Sequence, residues 1–350
     1  MQYSSLGASG LKVSRICLGT MTWGLQNTQE DANQQLAYAL DKGVNFIDTA
    51  EMYAVPPSAE TYGKTETILG RWLASNKNKR QDLVIASKIA GKGVPYIRGG
   101  SDITGAAVTK AIDDSLQRLQ TDYLDLYQLH WSNRPHPHFG RHHPNQIKFT
   151  DVDRAAERDN FLDILQAIGQ AVSEGKIRHF GLSDDTPWGI ESYLKLADEF
   201  NLPRVNSIQN EFNLLHSKDW PYLIETCVHN DIAFLPWSPL AGGMLTGKYL
   251  DGQRPAGSRW TMSQRNGLFR NTQASDAAIR GYIEVAKAHN ITPAQLALAW
   301  CNQVDGVTST IIGATSLAQL EEDIAAFDIS LTEQCLTQIG QVLNQYLAPF

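Results

Sequence analysis

Short apolar runs alternate along the chain with longer segments whose apolar residues recur at helical spacing. The runs lie at 16–19, 44–48, 83–88, 123–130, 178–183, 205–211, 233–236 and 309–313, and each reads as a short strand. Between and after them the spacing predicts helices over 30–42, 65–75, 106–119, 161–174, 187–200, 221–230, 275–289, 293–303, 316–327 and 332–347. Leu36, Ala39 and Leu40 share one face of the first helix, which Gly43 ends. Val108, Ile112, Leu116 and Leu119 keep near-helical spacing in the third. Residues 3–5 and 12–14 flank Gly7-Ala8-Ser9-Gly10 and read as a small hairpin.

Strands reached one after another through helices, with no break in composition, imply an α/β fold with a parallel sheet. At 350 residues the simplest closure is a single (β/α)8 TIM barrel over 1–350, with an N-terminal β-hairpin and a C-terminal helix. A doubly wound open sheet is the alternative, but the chain has no G-x-G-x-x-G. Residues 131–160 after the fourth strand and 237–272 after the seventh exceed ordinary loop lengths. Both follow strand C-termini, the face on which barrels build their sites.

A net charge of −7 and a pI of about 5.7 argue against nucleic acid or an anionic membrane as the main partner. Cys17, Cys227, Cys301 and Cys335 are spread out without a C-x-x-C pair, so they suggest packed thiols and neither a disulfide framework nor a zinc site. The first residues lack the basic and apolar regions of a signal peptide, and no apolar run approaches membrane-spanning length. A cytoplasmic protein, monomer or homo-oligomer, is the expectation.

Candidate chemistry begins with Asp48. A carboxylate ending a buried strand is expensive to desolvate unless a cation pairs with it. Lys88 and His130 end two further apolar runs, and Tyr53 lies one loop beyond Asp48. If those strands are neighbours, about 4.8 Å apart, the side chains meet in one pocket. An ammonium beside a phenol lowers its pKa from about 10. Tyr53 is then a general acid for a carbonyl oxygen, with Asp48 holding Lys88 and His130 orienting the carbonyl. None of these groups supplies electrons and no metal motif is present, so the hydride must come from a bound nicotinamide.

Asp48, Tyr53, Lys88 and His130 resemble the catalytic tetrad of the aldo-keto reductases. The surrounding text is similar too: Leu18-Gly-Thr-Met, Asn45-Phe-Ile-Asp-Thr-Ala-Glu-Met-Tyr, Ala86-Ser-Lys and Asp122-Tyr-Leu-Asp-Leu-Tyr-Gln-Leu-His. So are Gly175-Lys-Ile-Arg-His-Phe-Gly-Leu-Ser and Trp237-Ser-Pro-Leu-Ala-Gly-Gly-Met-Leu-Thr-Gly-Lys-Tyr. The resemblance runs in order along almost the whole chain and extends, further off, to the potassium-channel beta subunits. It implies an NADP(H)-dependent oxidoreductase that reduces aldehydes or ketones, its substrate a small carbonyl compound. It implies that Ser183, Asp184 and Gln209 hold the nicotinamide carboxamide and that Trp237 flanks the ring. Ser238, Pro239, Leu240, Gly242 and Lys248 would line the pyrophosphate, with Arg259 near the ribose phosphate. Gly313, Thr315, Gln319, Glu322 and Asp323 would hold the adenosine, and Thr20, Met21 and Gln26 would touch the cofactor from the first loop. Asp184 stands where the family has Asn or Arg, and Asp323 where it has Asn. With Glu322, Asp323 adds negative charge where a 2′-phosphate would bind, whereas Lys248 and Arg259 are cations that favour it.

Gly242-Gly-Met-Leu-Thr-Gly-Lys fits seven positions of a P-loop, but Tyr249 follows instead of Ser or Thr, so a dinucleotide cradle is the better reading. His136, His138, His142 and His143 read as an exposed loop shaping substrate entry, with a metal-dependent hydrolase as the rival. Trp23 and Trp131 are candidates for the substrate pocket, while Phe139 and Trp260 suit either a pocket wall or rim packing. A slow, cofactor-sensing binding subunit is the other rival function.

Overall fold

The computed structural model describes residues 1–141, 143–262 and 268–350. Strands β1 (Tyr3–Ser5) and β2 (Lys12–Ser14) pair antiparallel, Tyr3 opposite Ser14. Eight further strands make one parallel sheet: β3 (Ile16–Gly19), β4 (Phe46–Asp48), β5 (Val84–Ile89), β6 (Leu124–Leu129), β7 (Ile177–Ser183), β8 (Val205–Gln209), β9 (Ala233–Phe234) and β10 (Thr310–Ile312). Their order is β10-β3-β4-β5-β6-β7-β8-β9. The ring closes where Thr308 donates its backbone N–H to Phe234 O at 2.9 Å and Ile311 to Pro236 O at 2.8 Å. The predicted (β/α)8 barrel with its N-terminal hairpin is therefore the fold.

Helices α1 (Gln29–Asp41), α2 (Lys64–Ser75), α3 (Gly105–Leu119), α4 (Arg154–Ser173), α5 (Pro187–Phe200) and α6 (Tyr222–His229) each link two strands. Helices α7 (Gln273–Ala288) and α8 (Pro293–Gln303) lie between β9 and β10, and α9 (Leu317–Ala325) and α10 (Glu333–Gln345) follow. Their starts are written in the sequence. Thr28, Thr104, Thr186, Thr272, Thr292, Ser316 and Thr332 each accept a first-turn N–H that the helix leaves unsatisfied.

Strand alternation sorts the apolar residues into two cores. Ile16, Leu18, Ile47, Ile85 and Ile89 face outward and pack against Leu36, Leu69, Ile112 and Leu165 of the helices. Cys17, Phe46, Ala86, Leu126, Leu235 and Ile311 face inward, and Leu6 and Val13 of the hairpin close the bottom of that interior. The hairpin seats closely: Gly7 has φ +54°, and a Cβ there would stand 2.4 Å from Asn206 O, so only glycine fits. One step above Phe46, Ala86 and Leu126 on the same inward rows stand Asp48, Lys88 and Gln128. The interior thus changes from apolar to polar and charged at the carboxyl rim.

Predicted strand and helix ends mostly differ from the structure by one or two residues. The exception is α4, which begins at Arg154 and not at 161. Asp153 caps it, accepting from Ala155 and Ala156 N–H at 2.9 and 3.2 Å. Residues 154–160 carry no apolar stripe, so periodicity alone misses that turn.

Candidate active site

Neighbouring strands bring the tetrad together. Lys88 Nζ lies 2.5 Å from Asp48 Oδ2, and it also donates to Thr49 O at 2.9 Å and to the Tyr53 hydroxyl at 3.3 Å. The Tyr53 and His130 rings meet edge to face at 5.6 Å. The second oxygen of Asp48 accepts from Gln209 Nε2 at 2.9 Å and Gln128 Nε2 at 3.3 Å. The carboxylate is therefore satisfied on both sides, as a buried charge requires.

Burial disfavours the Lys88 ammonium, but Asp48 and Tyr53 outweigh it and hold the lysine pKa above its ordinary value. For Tyr53 the balance goes the other way. Burial raises its pKa and Asp48 adds to that, while Lys88 pulls it down, and the net direction is up. The expectation that the ammonium lowers the phenol's pKa is thus corrected. Lys88 acts in that direction, but desolvation wins, and the resting phenol keeps its proton.

The loop carrying Tyr53 is fixed from beneath. Fully buried Glu51 receives Arg98 in a bidentate pair, with contacts of 2.9 and 2.7 Å. It also accepts Ala90 N–H at 2.6 Å, and Arg98 donates to Ala90 O at 2.9 Å. These bonds tie residues 49–54 to the end of β5.

Above the barrel rim lies a cavity of about 1000 Å³. Asp48, Tyr53 and His130 line it, and Ser183, Asp184, Gln209 and Trp237 continue round the strand ends. Ser238, Pro239, Leu240, Gly242, Lys248 and Arg259 form a long wall. Gly313, Thr315, Gln319, Glu322 and Asp323, after β10 and on α9, also line it, and Thr20, Met21 and Gln26 enter from the loop after β3. Every residue expected to touch a cofactor therefore lines this one cavity. Gln26 Nε2 donates to Gly257 O at 3.3 Å, joining that loop to the long wall.

The donor set suits a dinucleotide. Arg259 has no carboxylate partner among the described residues. Burial, and after it the charge of Arg270, lowers its pKa to about 10, so it stays cationic at neutral pH. Glu211 acts on it only from a distance, and a half-buried cation with no carboxylate in contact favours an anionic ligand. Gly242 and Gly243 have φ +68° and +95°, and a Cβ on Gly243 would stand 2.8 Å from Lys248 Nζ, so glycine leaves that ammonium its place. The volume lies at the upper end of the roughly 300–1000 Å³ usual for ligand pockets.

The profile of the Aldo/keto reductase family matches residues 15–344. The chain belongs to that family. It is 41% identical to "Protein tas" of Escherichia coli (strain K12), over 100% of this chain and 99% of the relative. It is 32% identical to a "Probable voltage-gated potassium channel subunit beta" of Arabidopsis thaliana, over 98% of this chain and 97% of the relative. It is 29% identical to "Uncharacterized oxidoreductase YrpG" of Bacillus subtilis (strain 168), over 98% of this chain and 96% of the relative. Oxidoreduction of small molecules, usually with a nicotinamide cofactor, is the chemistry of the aldo/keto reductases. No described helix is long and apolar enough to cross a membrane.

Asp184, the departure from Asn or Arg, is instructive in this aldo/keto reductase. Its Oδ1 accepts the Trp237 indole N–H at 3.0 Å, and burial pushes its carboxyl up to about 8. At neutral pH it is a neutral acid, close in shape and polarity to the asparagine it replaces.

The two tryptophans expected at the substrate pocket stand outside the cavity lining, Trp131 with its ring 5.0 Å from that of His130. Trp23 is fully buried between barrel and helices, its indole donating to Gln35 Oε1 at 2.9 Å. Trp131 turns away onto Gly91, where a Cβ would meet its Nε1 at 2.1 Å, and donates to Lys92 O at 3.1 Å. Neither lines the cavity. Phe139 does, its ring 5.8 Å from Trp237, whereas Trp260 stacks on Tyr249 at 4.2 Å.

The histidine-rich segment is buried at its start and exposed over most of its later half, His143 included. Ser132, Asn133, Arg134 and His136 are buried. His136 stacks on His138 at 4.3 Å and shares a 2.9 Å bond with Ser132 Oγ, while Arg134 pairs with Asp185. His142 lies outside the described residues, and among those described no cluster of three or more His, Cys, Asp or Glu could hold a metal.

Sequence reasoning missed Gln128, Glu51, Arg98 and Arg270. Gln128 had a signal, since it sits two residues before His130 on the same inward row. Arg270, paired with buried Glu211 through a 2.9 Å bond, lies across 59 residues of chain and had none.

Proposed function

We propose that this protein reduces the carbonyl group of an aldehyde or ketone to an alcohol, with NADPH as hydride donor and Tyr53 as proton donor. The observation that carries the reading is the Lys88 ammonium, bonded at once to Asp48 and to the Tyr53 hydroxyl, both of which line the cavity. The bound nicotinamide supplies the hydride. As negative charge grows on the carbonyl oxygen, the Tyr53 hydroxyl gives up its proton, and the adjacent ammonium stabilises the phenolate that remains. Asp48 keeps that ammonium in place and charged, and Gln209 and Gln128 keep Asp48 oriented. His130, edge to face with the phenol, orients the carbonyl. Trp237, with Ser183 and Asp184, would frame the nicotinamide, and Lys248 and Arg259 would answer the phosphates.

Tyr53→Phe tests this. Stopped-flow oxidation of NADPH with a panel of aldehydes should slow by about 10²–10⁴-fold. NADPH affinity should stay within about twofold, because the phenol acts on the substrate and not on the cofactor. Lost cofactor affinity, or turnover near that of the wild type, counts against the assignment. A second reading is a slow, cofactor-binding subunit, since the chain is similar to a "Probable voltage-gated potassium channel subunit beta". Slow hydride transfer in the wild type with retained cofactor would favour that one.

A further inference from the structure

The short turn Leu268–Arg270 is a panel of the cavity wall, since Phe269 and Arg270 both line the cavity. Among the described residues no backbone-to-backbone hydrogen bond ties this turn to a barrel strand, so side chains hold it in place. Arg270 is only 4% exposed, and its Nε donates to Glu211 Oε1, just beyond β8, at 2.9 Å. The same guanidinium lies over two rings, 4.2 Å from the centre of Phe269 and 5.8 Å from that of Phe350.

Phe350 reaches the panel from outside the barrel. Helix α10 packs along α7, where a Cβ on Gly281 would stand 3.1 Å from Val342. The chain beyond α10 then brings buried Pro349 to the start of α7, where its carbonyl accepts from Ser275 Oγ at 3.2 Å and from the Thr272 hydroxyl. The Phe350 ring sits edge to face with Phe269 at 5.6 Å and beside the His216 ring at 5.6 Å. Residues 349 and 350 thus grip the panel itself and the helix cap that follows it, yet neither lines the cavity.

We propose that Pro349 and Phe350 latch the Phe269–Arg270 panel, and that opening this latch limits how fast the cavity exchanges its ligand. The rate rests on the reductase reading, which supplies the ligand, whereas the latch does not. Because these two residues touch the wall and not the cavity, they hold it alike when it is filled and when it is empty. A contact of equal strength in both states leaves affinity unchanged and slows entry and exit by one factor.

Phe350→Ala in the full chain tests it, with a thermal melt to verify folding. Hydrogen exchange of the peptide 268–276, read by mass spectrometry without ligand, should quicken by about tenfold while the peptides of β4 and β5 keep their rates. In stopped flow, NADPH association and its release into excess NADP+ should both quicken by about tenfold, with Kd within about twofold of the wild type. Ser275→Ala, which removes one bond to the Pro349 carbonyl, should move the same quantities in the same direction by about threefold. Unchanged exchange in 268–276, or release within about twofold of the wild type, overturns the latch and leaves the reductase reading standing. Faster release with Kd raised in proportion also overturns it, because the tail would then hold the filled state alone. A wild type that binds no NADPH overturns the reductase reading instead, and exchange in 268–276 then decides the latch by itself.

Discussion

Burial keeps the proton on Tyr53 while Lys88 waits to stabilise its loss, so the phenol is a reluctant acid until a carbonyl oxygen begins to carry charge. Asp184 shows the same competition in a form that stability can report. Its carboxyl is raised from 3.8 to about 8 in the folded chain, mainly by burial. Below the unfolded value both states are protonated and the group costs nothing. Between about 4 and 8 the unfolded chain ionises while the folded one does not, so stability falls as pH rises and then levels. Asp184→Asn removes this penalty. Its melting temperature should exceed the wild type's by more at pH 8.5 than at pH 5, at about 2–4 °C for each kcal/mol relieved. A difference independent of pH would show that Asp184 is ionised in the folded state. Asp48, Lys88 and His130 were legible because each closes an apolar run, where an ionisable residue has no packing role. Trp23 and Trp131 were not, because proximity to a strand end does not say which way an indole turns.

Single elements carry the site only because other contacts brace them. Residues 49–54 hold Tyr53 in reach of Lys88, and the Glu51–Arg98 pair holds those residues to β5. Arg98→Ala strands a buried carboxylate and should destabilise the protein by about 3–5 kcal/mol. Thermal melts of Arg98→Ala, Glu51→Gln and the double variant check it, and the double variant should be milder than Arg98→Ala alone. If the single change costs nothing, solvent reaches Glu51. This brace was hidden from the sequence, since the two residues stand 47 apart in loops with no period to read. The start of α4 was hidden in another way. Its first two turns are polar, and the cap at Asp153 was the only mark. Where a helix both began with a cap and continued with an apolar stripe, as α5 and α8 do, the sequence located it from end to end.

For the molecule as a whole, barrel closure depends on few bonds. Strand β9 is only two residues long and joins the β10 side through isolated backbone contacts. Much of the closing force must therefore come from the filled interior, and the hairpin contributes Leu6 to it without any exposure. Leu6→Ala should cost about 2–5 kcal/mol, read as a lower melting temperature with the cofactor site otherwise unchanged. An unaltered melt would mean that the hairpin is only a lid on a self-sufficient ring. The ring was legible from the alternation of strand and helix. The plug was not, because a hairpin of three-residue strands looks the same in sequence whether it packs or dangles.

One arrangement has a practical side. Of the chain's eight tryptophans, Trp237 alone lines the cavity, its indole bonded to Asp184 beside the tetrad. Indole emission overlaps the absorption of reduced nicotinamide, so the protein contains its own optical gauge, and occupancy of the pocket can be followed by intrinsic fluorescence without any dye.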